Sequence, residues 1–108
     1  MPAVLIVEDC PERDVVLRRR FVGYNVTIVR SYDEAVACLR ARSFDVVSLD
    51  YDLGGANGND VAMRLAELPV PARPSHVIVH SMNPVGAQRI AATLRTAGIP
   101  SYVQPFSD

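Results

Sequence analysis

The chain contains no lysine and no tryptophan, so all 11 of its basic residues are arginines. Its two cysteines, Cys10 and Cys38, are too few for a disulfide framework and lack the spacing of a metal site. No apolar run approaches the roughly 18 residues that a membrane-spanning helix needs. The first residues also lack the basic segment of a secretory signal. These absences lead us to expect a cytoplasmic protein that makes no contact with membranes.

Neither the composition nor the net charge points to a particular class of binding partner. The net charge of −1 provides no global electrostatic reason for binding nucleic acid or an anionic surface. The hydrophobic fraction of 49% is ordinary for a globular protein, and 108 residues suffice for one core. We therefore expect a single domain spanning residues 1–108.

Short apolar runs alternate with helical patterns along the whole chain. The run from Val4 to Val7 is continuous, which is typical of a strand buried on both faces. The capping pair Ser31 and Glu34 predicts the start of a helix, as does Asn83 before Pro84. The predicted strands are residues 4–7, 24–29, 44–49, 77–79 and 101–103.

This alternation predicts an α/β fold with a flavodoxin-like, doubly wound, parallel five-stranded sheet in the order 2-1-3-4-5. The first helix, beginning at Pro11, is expected to turn Val15, Val16, Phe21 and Val22 toward the sheet. We expect no fifth helix within these 108 residues, so the first helix would cover one face alone. We expect a homodimer or a partner protein to shield the rest of that face.

Acidic residues follow the first and third predicted strands. Glu8 and Asp9 come after the first strand, and Asp50 and Asp52 come after the third, before a glycine-rich loop. Neighbouring parallel strands end at one edge, roughly 4.8 Å apart, so Glu8, Asp9 and Asp50 should lie close together. Carboxylates this close repel one another, so either a cation joins them or the pKa of at least one of them rises. Without lysine, and with no arginine expected at a strand tip, bound Mg²⁺ (or Mn²⁺) is the simplest solution.

These segments resemble a CheY-like response-regulator receiver domain over almost the full length of the chain. The segment from Val4 to Asp9 is similar to the family's first strand with its acidic pair. The segment Leu-Asp-Tyr-Asp-Leu around Asp50, followed by Gly58, is similar to the phospho-acceptor strand and its loop. Gln104-Pro105-Phe106 resembles the closing Lys-Pro-Phe of receivers.

The resemblance implies that Asp50 is a nucleophile that takes a phosphoryl group. Glu8 and Asp9 would hold Mg²⁺, and metal-assisted phosphoryl transfer to a carboxylate is also what the bare chemistry suggests. Asp50 and Asp52 complete the candidate metal ligands. For Asp52 the alternative is a structural one, in which its carboxylate stabilises the following turn.

Three further residues are candidates for phosphate binding. Ser81 lies where receivers place a phosphate-sensing Thr or Ser, and Asn83 follows it, with helix capping as its alternative role. Gln104 replaces the family lysine and can donate a hydrogen bond, but it cannot neutralise a phosphoryl dianion. The resemblance also implies a cis bond between Gln104 and Pro105.

The polar segment His-Ser-Met-Asn, which begins at His80, is similar to a stand-alone branch known as cyclic-phosphate-processing receivers. That branch implies opening or hydrolysis of cyclic phosphates, including those at RNA ends, with His80 as general acid or base near its intrinsic pKa of about 6.5.

Three functions therefore stay open at the level of sequence. The leading one is an atypical, stand-alone receiver that handles a phosphate group at Asp50, supplied by a phosphodonor protein or a small phosphate-bearing molecule. The second is a metal-dependent phosphoesterase that uses His80 on cyclic phosphates of nucleotides or RNA ends. The third is a pseudo-receiver that keeps the fold as an interaction module.

Overall fold

The computed structural model describes residues 1–106. Five strands alternate with four α-helices in the order that the sequence predicts. The strands are β1 (Ala3–Val7), β2 (Asn25–Val29), β3 (Val46–Leu49), β4 (His76–Val79) and β5 (Ser101–Val103). The helices are α1 (Asp14–Arg19), α2 (Tyr32–Ala41), α3 (Gly58–Glu67) and α4 (Pro84–Thr96). Short 3-10 turns precede α1 at Pro11–Arg13 and follow α3 at Val70–Ala72.

The five strands form one parallel sheet in the order β2-β1-β3-β4-β5. This confirms the predicted flavodoxin-like fold and its strand order. β1 lies between β2 and β3, with Val4 beside Val46 and Val7 beside Leu49. The residues that follow β1 and β3 are therefore neighbours across one edge of the sheet.

Each face of the sheet has its own apolar core. On one face, buried residues of β1, β3 and β4 pack against α2, α3 and α4; they include Leu5, Val47, Leu49, Val77, Leu65, Ile90 and Leu94. On the other face, Val4, Ile6 and Val46 pack against Leu17 and Phe21 of the α1 region. Residues 4–7 of β1 and 46–49 of β3 are buried on both faces, which explains their continuous apolar character.

The first helix differs from its predicted inward face. Val15 and Val22 are 60% and 84% exposed, whereas Leu17 is fully buried and Phe21 is 4% exposed. α1 ends at Arg19, so Val22 lies beyond the helix, and the inward positions are occupied by Leu17 and Phe21, which are four residues apart. The prediction for Val15 and Val22 was therefore wrong.

Over β4 and β5, the sheet face that carries α1 is covered by the segment after β5 rather than by a helix. Within residues 1–106 no helix follows β5, in agreement with the predicted four-helix layout. Arg20 donates hydrogen bonds to the carbonyls of Gln104 (3.0 Å) and Pro105 (2.8 Å), and Phe106 packs against the α1-side core. Tyr102 is nonetheless 61% exposed, and the homodimer or partner protein expected on this face stays a prediction.

The described residues contain no cis peptide bond, so the prediction of a cis Gln104–Pro105 bond was wrong. No helix within residues 1–106 has both the length and the apolar character that crossing a membrane requires.

Candidate functional site

Three polar side chains converge where the central strands end. Glu8 follows β1, Asp50 follows β3 and His80 follows β4, and each continues the parallel ladder by one backbone hydrogen bond. The N–H of Glu8 donates to Val29 O at 3.0 Å, that of Asp50 to Val7 O at 3.1 Å, and that of His80 to Leu49 O at 3.1 Å. The sheet itself therefore fixes the positions of all three residues.

Glu8 and His80 form a buried pair, and both side chains are fully excluded from solvent. Nε2 of His80 lies 3.0 Å from Oε1 of Glu8, and the backbone N–H of Cys10 donates to Oε2 of Glu8 at 3.0 Å. Burial alone would raise the pKa of Glu8, but these hydrogen bonds and the charges of His80 and Arg13 lower it below its usual range. An ionised Glu8 can only accept, so Nε2 of His80 carries the proton.

Ser48 completes this buried chain on the other side of the imidazole. Its Oγ lies 2.8 Å from Nδ1 of His80, and Ser48 is fully buried in β3. With Nε2 donating to Glu8, Nδ1 of His80 forms its hydrogen bond with the Ser48 hydroxyl. Sequence reasoning missed Ser48, although a lone hydroxyl in the otherwise apolar run from Val46 to Leu49 was an available signal.

Asp50 lies beside this pair and is only 3% exposed. Its Oδ1 accepts a hydrogen bond from the backbone N–H of Tyr51 at 2.8 Å. Burial, and after it the negative charge of Glu8, raises the pKa of Asp50 above its usual range. This is the outcome expected for crowded carboxylates without a bound cation. Glu8, Asp50 and His80 each offer a ligand atom, and these atoms lie within 4.8 Å of one another.

The other two candidate ligands occupy more exposed positions. Asp9 lies at the surface, and partial burial together with the hydrogen bond and charge of Glu8 raises its pKa. Asp52 is exposed and pairs with Asn57 in a two-residue antiparallel ladder within the loop before α3. The structure thus brings Glu8 and Asp50 together and leaves both Asp9 and Asp52 outside the group of close ligand atoms.

An arginine reaches this cluster, contrary to expectation. NH1 of Arg13, from the 3-10 turn after β1, lies 3.6 Å from Oε1 of Glu8 and 3.6 Å from Oδ2 of Asp50. Arg30, directly after β2, also lies at a strand tip, where it donates to the carbonyl of Glu8 at 3.2 Å. The prediction of no arginine at a strand tip was therefore wrong. The position of Arg13 depends on the 3-10 turn, which its local sequence does not mark.

The predicted phosphate-binding residues have mainly structural contacts. Ser81 is 2% exposed, and its Oγ accepts from the backbone N–H of Asn83 at 3.0 Å. The side chain of Asn83 accepts from the N–H of Gly86 at 3.0 Å and so caps α4, which was its alternative role. Gln104 is exposed and joins the sheet through its backbone N–H, which donates to Val79 O at 2.8 Å. Their roles toward phosphate stay predictions.

Gly58 holds the loop after Asp50 against the site. Its N–H donates to Tyr51 O at 2.6 Å, and a Cβ at this position would lie 2.0 Å from the carbonyl oxygen of Asp50. We expect Gly58→Ala to destabilise the protein by about 2–3 kcal/mol, because a backbone atom in a strand end cannot move aside. Chemical denaturation measures the change.

Gly55→Ala is the matched control for this substitution. Gly55 lies in the same loop, does not adopt a positive φ, and has no atom within 4 Å of the point where a Cβ would lie. A loss of stability in Gly55→Ala equal to that in Gly58→Ala would contradict the close-approach explanation.

A parallel sheet in this strand order, with acidic residues after its first and third strands, is an arrangement that receiver domains share with the wider flavodoxin-like fold. The family model described as Cyclic-phosphate processing Receiver domain matches residues 4–96. The chain belongs to this family. No curated protein is similar enough in sequence to match.

Solved structures similar to this chain include receiver domains and a response regulator. A CheY-like receiver domain from Methylobacillus flagellatus shares 21% identity with a TM-score of 0.79, over 100% of this chain and 89% of that chain. One from Methanospirillum hungatei JF-1 shares 19% identity with a TM-score of 0.79, over 100% and 84%. A response regulator from Thermotoga maritima, in complex with Mg²⁺ and BeF, shares 21% identity with a TM-score of 0.74, over 100% and 90%. At these identities the likeness shows the fold alone.

Proposed function

We propose that this receiver binds a divalent cation beside Glu8 and Asp50 and accepts a phosphoryl group on Asp50. The observation that carries the proposal is the burial of two carboxylates from neighbouring strand ends at one point of the sheet edge. The raised pKa of Asp50 reflects a position that disfavours its charge in the absence of a cation. Burying the Asp50 carboxylate at this position costs stability, and a purely structural role does not explain that cost.

The donor set at this point fits Mg²⁺ or Mn²⁺. Glu8 and Asp50 supply carboxylate oxygens, which hard divalent cations prefer, and exposed Asp9 lies beside Glu8 on the solvent side. Glu8 and Asp50 would hold the ion. His80 donates a hydrogen bond to Glu8. We assign it to orienting this ligand, because groups that hydrogen-bond to a metal-binding carboxylate fix the direction in which it faces the metal. The response regulator from Thermotoga maritima was solved with Mg²⁺ and BeF, which is consistent with this assignment.

Asp50 acts as the nucleophile in the proposed reaction. One of its carboxylate oxygens forms a bond to the phosphorus of the donor, and the bond between that phosphorus and the leaving oxygen breaks. With acetyl phosphate as donor, acetate leaves with the electron pair of the broken bond. A bound cation would neutralise part of the charge on the phosphoryl oxygens. The backbone N–H of Tyr51, which donates to Oδ1, keeps the carboxylate oriented.

Intact-mass spectrometry after incubation with acetyl phosphate tests this proposal. In the presence of Mg²⁺ we expect one added phosphoryl group per chain, and none when the metal is chelated. Unchanged mass under both conditions would argue against Asp50 as an acceptor. If Mg²⁺ binding were absent as well, the chain would fit the third function, a phosphorylation-independent interaction module.

The family match favours a second candidate function, the hydrolysis of cyclic phosphates. In that reaction water attacks the phosphorus, one ester bond of the ring breaks, and the leaving oxygen takes a proton. His80 was the predicted acid or base, but it is fully buried with both ring nitrogens engaged. A proton could reach or leave it only through Glu8 or after a rearrangement.

A panel of 2′,3′-cyclic nucleotides tests this second candidate. Metal-dependent appearance of the ring-opened monoester, without a stable phosphorylated chain, would favour the phosphoesterase over the phosphoryl acceptor. Product formation that is unaffected by chelation would contradict a role for the acidic cluster.

A further inference from the structure

We propose that Arg13 is the cation that pairs with the phosphoryl group at Asp50, in a chain that has no lysine for this purpose. The inference rests on the proposed function, because it assigns a residue to the phosphate in that same site. A phosphoryl dianion on Asp50 would add negative charge beside Glu8, so the site needs positive charge from the protein as well as from a metal.

The position of Arg13 fits this role. NH1 lies 3.6 Å from both Glu8 Oε1 and Asp50 Oδ2, so the guanidinium faces the point where the two carboxylates meet. Both distances exceed those of a hydrogen bond, so these contacts leave its N–H donors available for phosphoryl oxygens. The side chain of Arg13 is 31% exposed, compared with 0% for Glu8 and 4% for Asp50, which places it on the solvent side of the cluster. An incoming phosphate therefore meets Arg13 first.

Phe106 restricts the guanidinium of Arg13. The Cζ atom lies 4.9 Å from the centroid of the Phe106 ring, within the range of a cation–π contact. Phe106 is itself tied to the sheet, because its N–H donates to His80 O at 2.8 Å. A planar guanidinium held in this way can present two donors to phosphoryl oxygens, whereas neutral Gln104 is exposed and supplies no charge.

Other arginines of the same region do not share this arrangement. Arg20 is committed to the carbonyls of Gln104 and Pro105, and Arg30 to the carboxylate of Asp14 at 2.8 and 2.6 Å. Arg19 is exposed at the end of α1 and serves as a matched control on the same segment.

The proposal predicts opposite effects on the two ligands of the site. Without Arg13, Mg²⁺ should bind as well as before or more tightly, because a competing cation has left the carboxylates. A phosphoryl mimic on Asp50 should bind less tightly, because it loses its charge-assisted donors. A residue that only neutralised the acidic pair would change the first affinity without weakening the second.

The experiment measures Mg²⁺ binding by calorimetry and then beryllofluoride binding to the Mg²⁺-loaded chain by ¹⁹F NMR. In Arg13→Gln we expect beryllofluoride affinity to fall about tenfold, which corresponds to about 1.4 kcal/mol. We expect Arg13→Lys to recover part of this loss, Arg19→Gln to match wild type, and Mg²⁺ affinity to be no weaker in any of them.

Two results would overturn the assignment of Arg13. One is unchanged beryllofluoride affinity in Arg13→Gln; the other is a parallel loss of both affinities, which would mean that Arg13 supports the shape of the site. A wild-type chain that binds neither Mg²⁺ nor beryllofluoride would refute the proposed function itself. The two failures are therefore distinguishable.

Discussion

Asp50→Asn is expected to abolish metal-dependent phosphoryl uptake from acetyl phosphate. The amide has no carboxylate oxygen to attack phosphorus, and the substitution also removes one of the two buried ligands proposed for the cation. Intact mass with Mg²⁺ present should show no added group in the variant and one in wild type.

Asp52→Asn is the matched control, because Asp52 belongs to the same segment but is exposed and lies outside the close cluster. It should be labelled like wild type. Loss of labelling in Asp52→Asn with retention in Asp50→Asn would show that the acceptor had been assigned to the wrong aspartate.

The same Asp50→Asn change should stabilise the metal-free protein at neutral pH by about 1 kcal/mol, as is common when a functional residue held under strain is replaced. The folded-state pKa of Asp50 is raised by burial and by Glu8, so the folded chain holds its proton more tightly than the unfolded chain. The contribution of Asp50 to stability is therefore fully present below its pKa in the unfolded chain, and it is lost as the pH rises through its pKa in the folded chain.

Thermal unfolding across that pH window measures the effect. The difference in unfolding temperature between Asp50→Asn and wild type should widen as the pH rises from acidic to neutral values. Saturating Mg²⁺ should narrow this difference. A variant that is equally stable or less stable at neutral pH would contradict the crowding of Asp50 and Glu8.

His80→Ala is expected to cost about 3–5 kcal/mol of unfolding free energy, because removing the imidazole leaves the buried Glu8 carboxylate uncompensated. The substitution also leaves the Ser48 hydroxyl without its hydrogen-bond partner, and Ser48 and Glu8 are both fully buried. Since small domains have only about 5–15 kcal/mol in total, this is a large fraction of the stability.

Urea denaturation measures this loss, with His76→Ala as control. His76 is at the start of the same strand and is only partly buried, so its removal should cost much less. Equal losses would contradict the buried chain from Ser48 to Glu8. Activity lost in His80→Ala must therefore be compared at matched folded fractions, and His80→Gln, which keeps a donor near Glu8, is the better test of a proton-transfer role.

The fold could be predicted from the sequence because its evidence is local. Continuous apolar runs such as that from Val4 to Val7 mark strands covered on both faces, and their alternation with helical patterns leaves few arrangements. The convergence of Glu8, Asp50 and His80 follows from the same rule, since the carboxyl ends of parallel strands share an edge. Strand order alone placed these residues together.

The contacts that tune the site could not be predicted in this way. Arg13 reaches Asp50 from the 3-10 turn that precedes α1, and Leu17 rather than Val15 is the buried residue of that helix. The apolar pattern does not mark this 3-10 turn, because none of its three residues is buried. The contact between Ser48 and His80 depends on the strand register, which sets Ser48 opposite Ile78, two residues before His80. Long-range pairings of this kind require the assembled sheet.

Calorimetric titration of the wild-type chain with Mg²⁺, paired with thermal unfolding, tests the central claim most directly. The claim is that Glu8 and Asp50 form a site that requires a cation. We predict one Mg²⁺ per chain, and a gain of about 2.7 kcal/mol in stability at a concentration 100 times the dissociation constant. Absence of binding heat together with an unchanged unfolding temperature would contradict the account.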